Sequence, residues 1–441
     1  MTDKNGEANG TFPGLTTARE PTPLALAWAQ TWYPAYGLLG ALTSLAAIVL
    51  PVAMAEAGLS PAHIGIVVSA LSVGVLLSPL WGRLADRTRA YRAIFCWGFI
   101  LVGTSFGAFC LTRNPIAWTL VALLQGAGVA AVSTVASLLV VVSNPRSEWD
   151  QHIGWLQGYN TTGQVAGLAL AGMLSSVQGL RLAAAFSVIA LLLALRVSYE
   201  STKGQTPACS TTALAPSARL ARRTESFART PFHALDVPFF VSDVRQLVFS
   251  RFGRFLAGWF CLTLATAAFF SLYPVMMPQV YGVSVKLVAE LYAVSILLTL
   301  PLYSWVGRWC ERFGAGRMLR IGAAARALAF LALGLLAFAP FSAASILVLA
   351  SFAALQGLWP FLGVSATDLA ARLSKFGEGA GIGILNGSAA LAGALGAVVG
   401  GLCANAFGYW SVPFVGATGA TLCWLLSGRL ATPRPRARAA P

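Results

Sequence analysis

The sequence predicts an all-α membrane protein of about twelve transmembrane helices, arranged as two pseudo-symmetric six-helix bundles with both termini cytoplasmic. Three observations predict it. Hydrophobic residues make up 57% of the 441 and charged residues only 10%, where a soluble chain carries about 25% charged residues to solvate its surface. Apolar runs of about 20 residues, the length that crosses a hydrocarbon core, recur six times, give way to a polar interval, and recur six times more. Finally, the hexapeptide Gly82-Arg83-Leu84-Ala85-Asp86-Arg87 at the end of the second run returns as Gly307-Arg308-Trp309-Cys310-Glu311-Arg312 at the end of the eighth.

The runs fall at 25–50, 62–80, 93–112, 116–142, 153–176 and 181–199, then at 250–273, 286–306, 318–339, 342–367, 380–405 and 408–428. Around them the chain divides into a polar tail (1–22), an N-terminal bundle (23–199), a linker (200–245), a C-terminal bundle (246–430) and a basic tail (431–441). Residues 1–22 have neither a basic patch nor a cleavage-like site before the first run, so they read as a disordered tail rather than a secretory signal. The linker is rich in Ser, Thr, Pro and Arg, and its basic stretch Ala218–Arg229 reads either as a solvated segment or as a helix lying on anionic lipid.

The net charge of +15 is not a nucleic-acid footprint. With both termini inside, the tails, the linker and the inner connections hold 26 of the 30 basic residues; Arg113, Arg181 and Lys286 fall outside and Arg326 lies within a run. Lys and Arg accumulate on the cytoplasmic side of membrane proteins, so the excess reports topology. The seven cysteines show no metal or disulfide spacing, and His63, His152 and His233 are far apart in sequence.

The duplication extends beyond the hexapeptide. Pro51-Val52-Ala53-Met54 matches Pro274-Val275-Met276-Met277, and Gly58-Leu59-Ser60 matches Gly282-Val283-Ser284. Leu124-Gln125-Gly126 matches Leu355-Gln356-Gly357, and Asn160 matches Asn386, all in one order at offsets of 223 to 231. Such duplicated membrane proteins place their binding site between the repeats near the bilayer midplane.

With these residues in view, the chain resembles the major facilitator superfamily from about residue 25 to 430. Gly58-Leu59-Ser60-Pro61-Ala62-His63-Ile64-Gly65, an apolar span and then Gly82–Arg87 look like that family's loop motif, Gly-x-Leu-Ala-Asp-Arg-x-Gly-Arg. Arg89 stands where the motif has its second glycine; the other copy keeps it as Gly314 but has Glu311 for Asp. The resemblance implies that Gly82, Asp86, Arg87, Gly307, Glu311 and Arg312 form a cytoplasmic gate that holds the halves together when the pore opens outward. The other reading of the cluster is a topological anchor. The resemblance also implies a cavity lined mainly by the first, fourth, seventh and tenth spans.

Candidates for that cavity are the polar and aromatic residues of these spans and their helpers: Tyr36, Gln125, Asn160, Gln164, Arg254, Trp259, Gln356, Trp359 and Asn386. An intramembrane amide needs a partner, so the mirrored Gln125/Gln356 and Asn160/Asn386 either bind substrate or bond helix to helix. Glu290, one turn into the eighth span, is the proton-coupling candidate, with an i,i+4 pair to Lys286 as its other use. Family exporters that couple to protons carry an Arg three residues before Gln-Gly; here Ala122 and Ala353 stand there, so coupling does not carry over. Arg326 is expected to snorkel to the inner surface, or else to contact an acid or an anionic solute. The glycines of the fifth span (Gly154, Gly158, Gly163, Gly167, Gly172) suit close helix packing.

The expected function is secondary active transport of a small drug-like, aromatic or amphipathic solute by alternating access, with export slightly ahead of uptake. The rivals are an uptake symporter or facilitator and, from another class, a non-transporting receptor or membrane enzyme. No enzyme activity, metal or cofactor is expected, the drive being a proton or other ion gradient. The expected partners are the solute and the lipid bilayer, without nucleic acid, for a monomer in a bacterial inner membrane.

Overall fold

A computed structural model describes residues 32–112, 114–143, 149–203, 250–339, 341–374 and 378–428. The predicted tails and the basic stretch of the linker lie outside the described residues. The N-terminal half comprises α1 (Tyr33–Glu56), α2 (Pro61–Val75), α3 (Ser78–Thr88), α4 (Tyr91–Leu111), α5 (Pro115–Ser143), α6 (Trp149–Met173) and α7 (Ser176–Lys203). The C-terminal half comprises α8 (Arg251–Tyr281), α9 (Val285–Phe313), α10 (Ala315–Leu336), α11 (Phe341–Gly357), α12 (Trp359–Leu373), α13 (Glu378–Phe407) and α14 (Val412–Ser427). There is no strand among the described residues. Nine spans are long and apolar enough to cross a bilayer by composition alone. The broken pairs α2–α3 and α11–α12 each make one of these, and α6, α9 and α14 complete a set of twelve.

Local chemistry explains the breaks and turns. Pro79, the second residue of α3, has no N–H to give to the preceding turn and its ring crowds that turn. The span breaks there, and the Ser78 hydroxyl donates to the Val75 carbonyl at 2.6 Å. Pro360 plays the same part at the start of α12. The repeated Gly-x-Ser is a helix stop and restart. Gly58 (φ 80°) and Gly282 (φ 61°) take the left-handed conformation that glycine adopts without steric cost. Two residues on, the Ser60 and Ser284 hydroxyls accept N–H groups of the next helix's first turn, from His63 and Leu287. The helices outrun the hydropathy boundaries: α1 continues through Pro51 to Glu56, and α9 through Pro301 to Phe313. A helical hydrogen bond does not depend on side-chain polarity, so charged turns extend apolar spans.

Both hexapeptides occupy last turns, of α3 and α9, and define a basic end of the molecule. The departure from the motif has a conformational cost. Arg89 caps α3 at φ 51°, ψ 17°, the one non-glycine residue with positive φ among those described. A side chain there costs roughly 1–2 kcal/mol. Arg89→Gly should therefore raise stability by about 1 kcal/mol, read as a higher Tm in detergent; an unchanged or lower Tm would show that the Arg89 side chain compensates.

Within each half the seams are backbone to backbone. A methyl added at Gly163 would collide with the Gly37 carbonyl, and one at Gly167 with the Ala41 carbonyl, so α1 and α6 touch directly. In the other half Gly396 and Gly400 bring α13 against the Leu264 and Ala268 carbonyls of α8. Small residues permit this approach, and in lipid the resulting van der Waals contact drives association. The fifth-span glycines thus pack as expected at 163 and 167, whereas Gly154 and Gly158 have nothing within 4 Å.

Candidate functional site

The halves meet through α2 against α13, α6 against α9, and α1 against α8. Following one face of each seam helix shows where they meet. On α13, residues 397 and 387 lie within about 40° of the line through 401 and 383 at 100° per residue, a face about 80° wide. A methyl at Gly401 would stand 2.7 Å from the Pro61 carbonyl oxygen of α2, and Gly65 of α2 abuts the Ala397 carbonyl. Nearer the middle, a methyl at Gly393 would lie 4.0 Å from the Ser72 hydroxyl, and one at Gly387 or Gly383 would meet nothing within 4 Å among the described residues. On α6, a methyl at Gly172 would lie 3.1 and 3.2 Å from Lys286 and Ala289 of α9, while one at Gly158 or Gly154 on the same face would meet nothing within 4 Å among the described residues. The halves are sealed at the end opposite the hexapeptides and splay toward the basic end.

At the inner edge of the seal lies a cavity of about 270 Å³. Its wall comes from α1, α2, α5, α8 and α13 and is mostly apolar, with Thr43, Ser72, Gln125 and Ser271 as its polar points and Phe270 as its aromatic one. Gln125 is 2% exposed, and its side-chain oxygen is buried without a partner. A dry carbonyl with no donor is costly, and Gln125 is one of the residues that line the cavity.

The other cavity candidates have different surroundings. The Asn160 amide donates to the Tyr36 backbone carbonyl (3.4 Å) and accepts from Gln164 (2.7 Å), so these two amides join α6 to α1 and to each other. They follow the helix-bonding alternative. Gln356, the mate of Gln125, is buried on α11 and does not line this cavity. Asn386 is exposed and shares the open face of α13. Trp259 and Trp359 are paired, centroids 6.0 Å apart at 33°, with the Trp259 indole N–H buried and unpartnered. Arg254 is half-buried in the first turn of α8, its Nε buried without a partner.

Glu290 pairs with Lys286 at 3.9 Å, side chains 46% and 63% exposed. It is an exposed pair of the kind that contributes little, and Glu290 is not among the residues that line the cavity. Among the gate residues, Gly82 packs 3.7 Å from the Thr134 methyl of α5. Arg87 and Arg312 are exposed, with Arg312 lying 5.7 Å over Phe313. Asp86, Gly307 and Glu311 are helical, and the side chains of Asp86 and Glu311 lie outside the described residues. α3, which carries the first copy, makes its contacts with α4 and α5 of its own half, whereas α9, which carries the second, meets the other half through α6.

Arg326 does not snorkel: it is fully buried. Sequence reasoning also missed an aromatic cluster of Phe270, Tyr273, Tyr292 and Phe352 from α8, α9 and α11. It missed as well a buried hydrogen bond, 2.9 Å, between the Tyr33 hydroxyl and His152 Nδ1. Phe269, Phe270 and Tyr273 at helical spacing were the available signal for the first. Nothing in the sequence pairs residues 119 apart. No metal-binding cluster exists among the described residues.

Two six-helix halves that enclose a cavity, sealed at one end and splayed at the other, define a multi-pass membrane transporter fold. The chain belongs to the Major Facilitator Superfamily, whose family model matches residues 32–376. It is 24% identical to the quinolone resistance protein NorA of Staphylococcus aureus over 162 residues, which are 36% of this chain and 42% of that protein. The chain thus aligns with less than half the length of the curated relatives it matches. Among solved structures, a variant of the nucleoside transporter NupG superposes with TM-score 0.71 at 15% identity, covering 91% of this chain and 98% of the other. A bacterial homolog of the human lysosomal transporter Spinster, solved in an inward-facing and unoccupied conformation, gives 0.65 at 16%, covering 91% and 96%.

Proposed function

We propose that this chain is a secondary active transporter that exports a small amphipathic or aromatic solute from the cytoplasm by alternating access. The carrying observation is the divergence of α2 from α13 and of α6 from α9 toward the basic end. A site shut at one end and open at the other is one of the two states that alternating access requires. Lys and Arg concentrate on the cytoplasmic side, so the open end faces inward, the conformation in which the Spinster homolog was solved. The state is then one that loads from the cell interior. Export is favoured by the apolar cavity wall and by the likeness to a quinolone resistance protein.

In this reading the gate residues Gly82, Asp86, Arg87, Gly307, Glu311 and Arg312 come together when the cytoplasmic end closes. Gln125 offers its unpartnered carbonyl to the solute. Everted vesicles bearing the chain should accumulate an amphipathic aromatic dye when a proton gradient is imposed; accumulation in right-side-out vesicles instead would assign uptake. Gln125→Leu should weaken binding of a dye that carries an N–H or O–H donor by roughly five- to tenfold, the size of one lost hydrogen bond. It should leave Tm equal or higher, because it removes an unsatisfied buried group. A lower Tm with unchanged binding would make Gln125 a structural amide.

A further inference from the structure

Arg326, in the C-terminal half, is a cation at membrane depth with no counter-ion among the described residues. It is 0% exposed. Its Nη1 donates to the Leu355 carbonyl at 2.6 Å, in the last turn of α11, where helix carbonyls have lost their partners. Its guanidinium lies 5.4 Å over Trp359 and 5.5 Å over Phe330, and the Tyr292 hydroxyl is within electrostatic reach. Yet its Nε is buried with no partner. Neither Lys286–Glu290 nor Arg372–Asp368 involves it, and no carboxylate among the described residues is paired with Arg326. One carbonyl and two ring faces offset part of the desolvation of a buried guanidinium, but not what a bidentate anion would supply.

The neighbouring groups left unsatisfied are of one kind. Trp259, stacked on Trp359, has a buried indole N–H without an acceptor, and Tyr273 has a buried hydroxyl without a partner. Tyr273 stacks on Phe352 (5.6 Å, 27°) and meets Tyr292 edge to face (5.6 Å). Phe270 connects this cluster to the central cavity: it lines the cavity wall and lies 5.6, 5.9 and 6.1 Å from Tyr273, Tyr292 and Phe352. A cation, an indole N–H and a phenol, all seeking acceptors among aromatic faces, are complementary to an anion carried on an aromatic body. Intramembrane charges without structural partners mark substrate paths.

We propose that Arg326, with Trp259, Tyr273, Tyr292 and Trp359, forms an anion subsite for the carboxylate of an aromatic or amphipathic acid, separated from the cavity by the Phe270 ring. This deepens the transporter reading and rests on it. The test uses the full chain in lipid nanodiscs with 1-naphthoate and its neutral isostere 1-naphthamide, binding being measured by isothermal titration calorimetry. The wild type should bind the acid roughly ten- to a hundredfold more tightly than the amide, the range of a charge-assisted hydrogen-bonded pair. Arg326→Gln should erase that preference and keep amide binding, and Arg326→Lys should restore part of it. Tyr273→Phe, which removes only an unpartnered hydroxyl, should weaken the acid severalfold at unchanged Tm, so the subsite stays testable if Arg326→Gln does not fold. Equal wild-type affinities for the two probes, or a preference that survives in folded Arg326→Gln, would overturn the subsite. Vesicles that move the amide without favouring the acid overturn the subsite alone; vesicles that move neither overturn the transporter reading.

Discussion

Gly65→Val should leave the protein folded and turn it outward. Gly65 on α2 sits against the Ala397 carbonyl of α13, with the Gly401 Cα 2.9 Å from where a methyl would be. Overpacking a closed interface costs typically 1–3 kcal/mol. Here the two helices belong to different halves, so the strain has a relief that leaves both halves intact: rotation about the middle, which parts α2 from α13 at the sealed end and closes the basic end. A differential cost of that size shifts a two-state equilibrium by roughly five- to 150-fold. Spin labels at Gly154→Cys on α6 and Gly383→Cys on α13, both on open faces, should report a shorter separation in the Gly65→Val background. An unchanged distance distribution in a well-folded variant would mean that the halves do not rock about this seam.

Gly163→Val should instead abolish the folded protein. The position where its side chain would begin is already occupied by the Gly37 carbonyl oxygen of α1. Both helices lie in one half, and α1 is further tied to α6 by the Asn160–Tyr36 bond and by the Ser44 hydroxyl donating to the Gln164 carbonyl at 2.9 Å. No rigid-body motion separates them without breaking the bundle. The expected loss is about 3 kcal/mol or more, beyond the usual overpacking range because the displaced backbone has no rigid-body relief. Size-exclusion chromatography and Tm provide the check, with Gly158→Val as the control: the same change on the same helix, with nothing within 4 Å of the glycine. If the two variants behaved alike, the α1–α6 seam would not hold the N-terminal half together.

These contrasting outcomes show where sequence reading stops. Gly154, Gly158, Gly163, Gly167 and Gly172 look equivalent along the chain, yet the structure gives them three roles: two bind α1, one meets α9 across the halves, and two border the cleft. Asn160 and Asn386 are repeat mates, but one is bonded to α1 and the other is exposed on the open face of α13. Arg326 was expected to reach the inner surface, and Leu355 holds it inside instead. Gln125 was legible as a polar residue at mid-depth; that it borders the cavity while Gln356 does not was not legible.

Composition determined the solvent, the number of spans, the duplication and the basic end, because each follows from transfer free energy summed along the chain. The repeated Gly-x-Ser and the last-turn hexapeptides were equally local, since a left-handed glycine and a capping hydroxyl act within a few residues of themselves. Which face of a helix meets which neighbour, and which end of the molecule is shut, were decided only by the tertiary structure. In water an apolar stripe marks a helix's buried side. In lipid the side facing acyl chains is as apolar as the side facing protein, so periodicity carries little information about orientation. The choice is left to close backbone contacts such as Gly65 with Ala397 and Gly163 with Gly37, which exist only once the helices have come together.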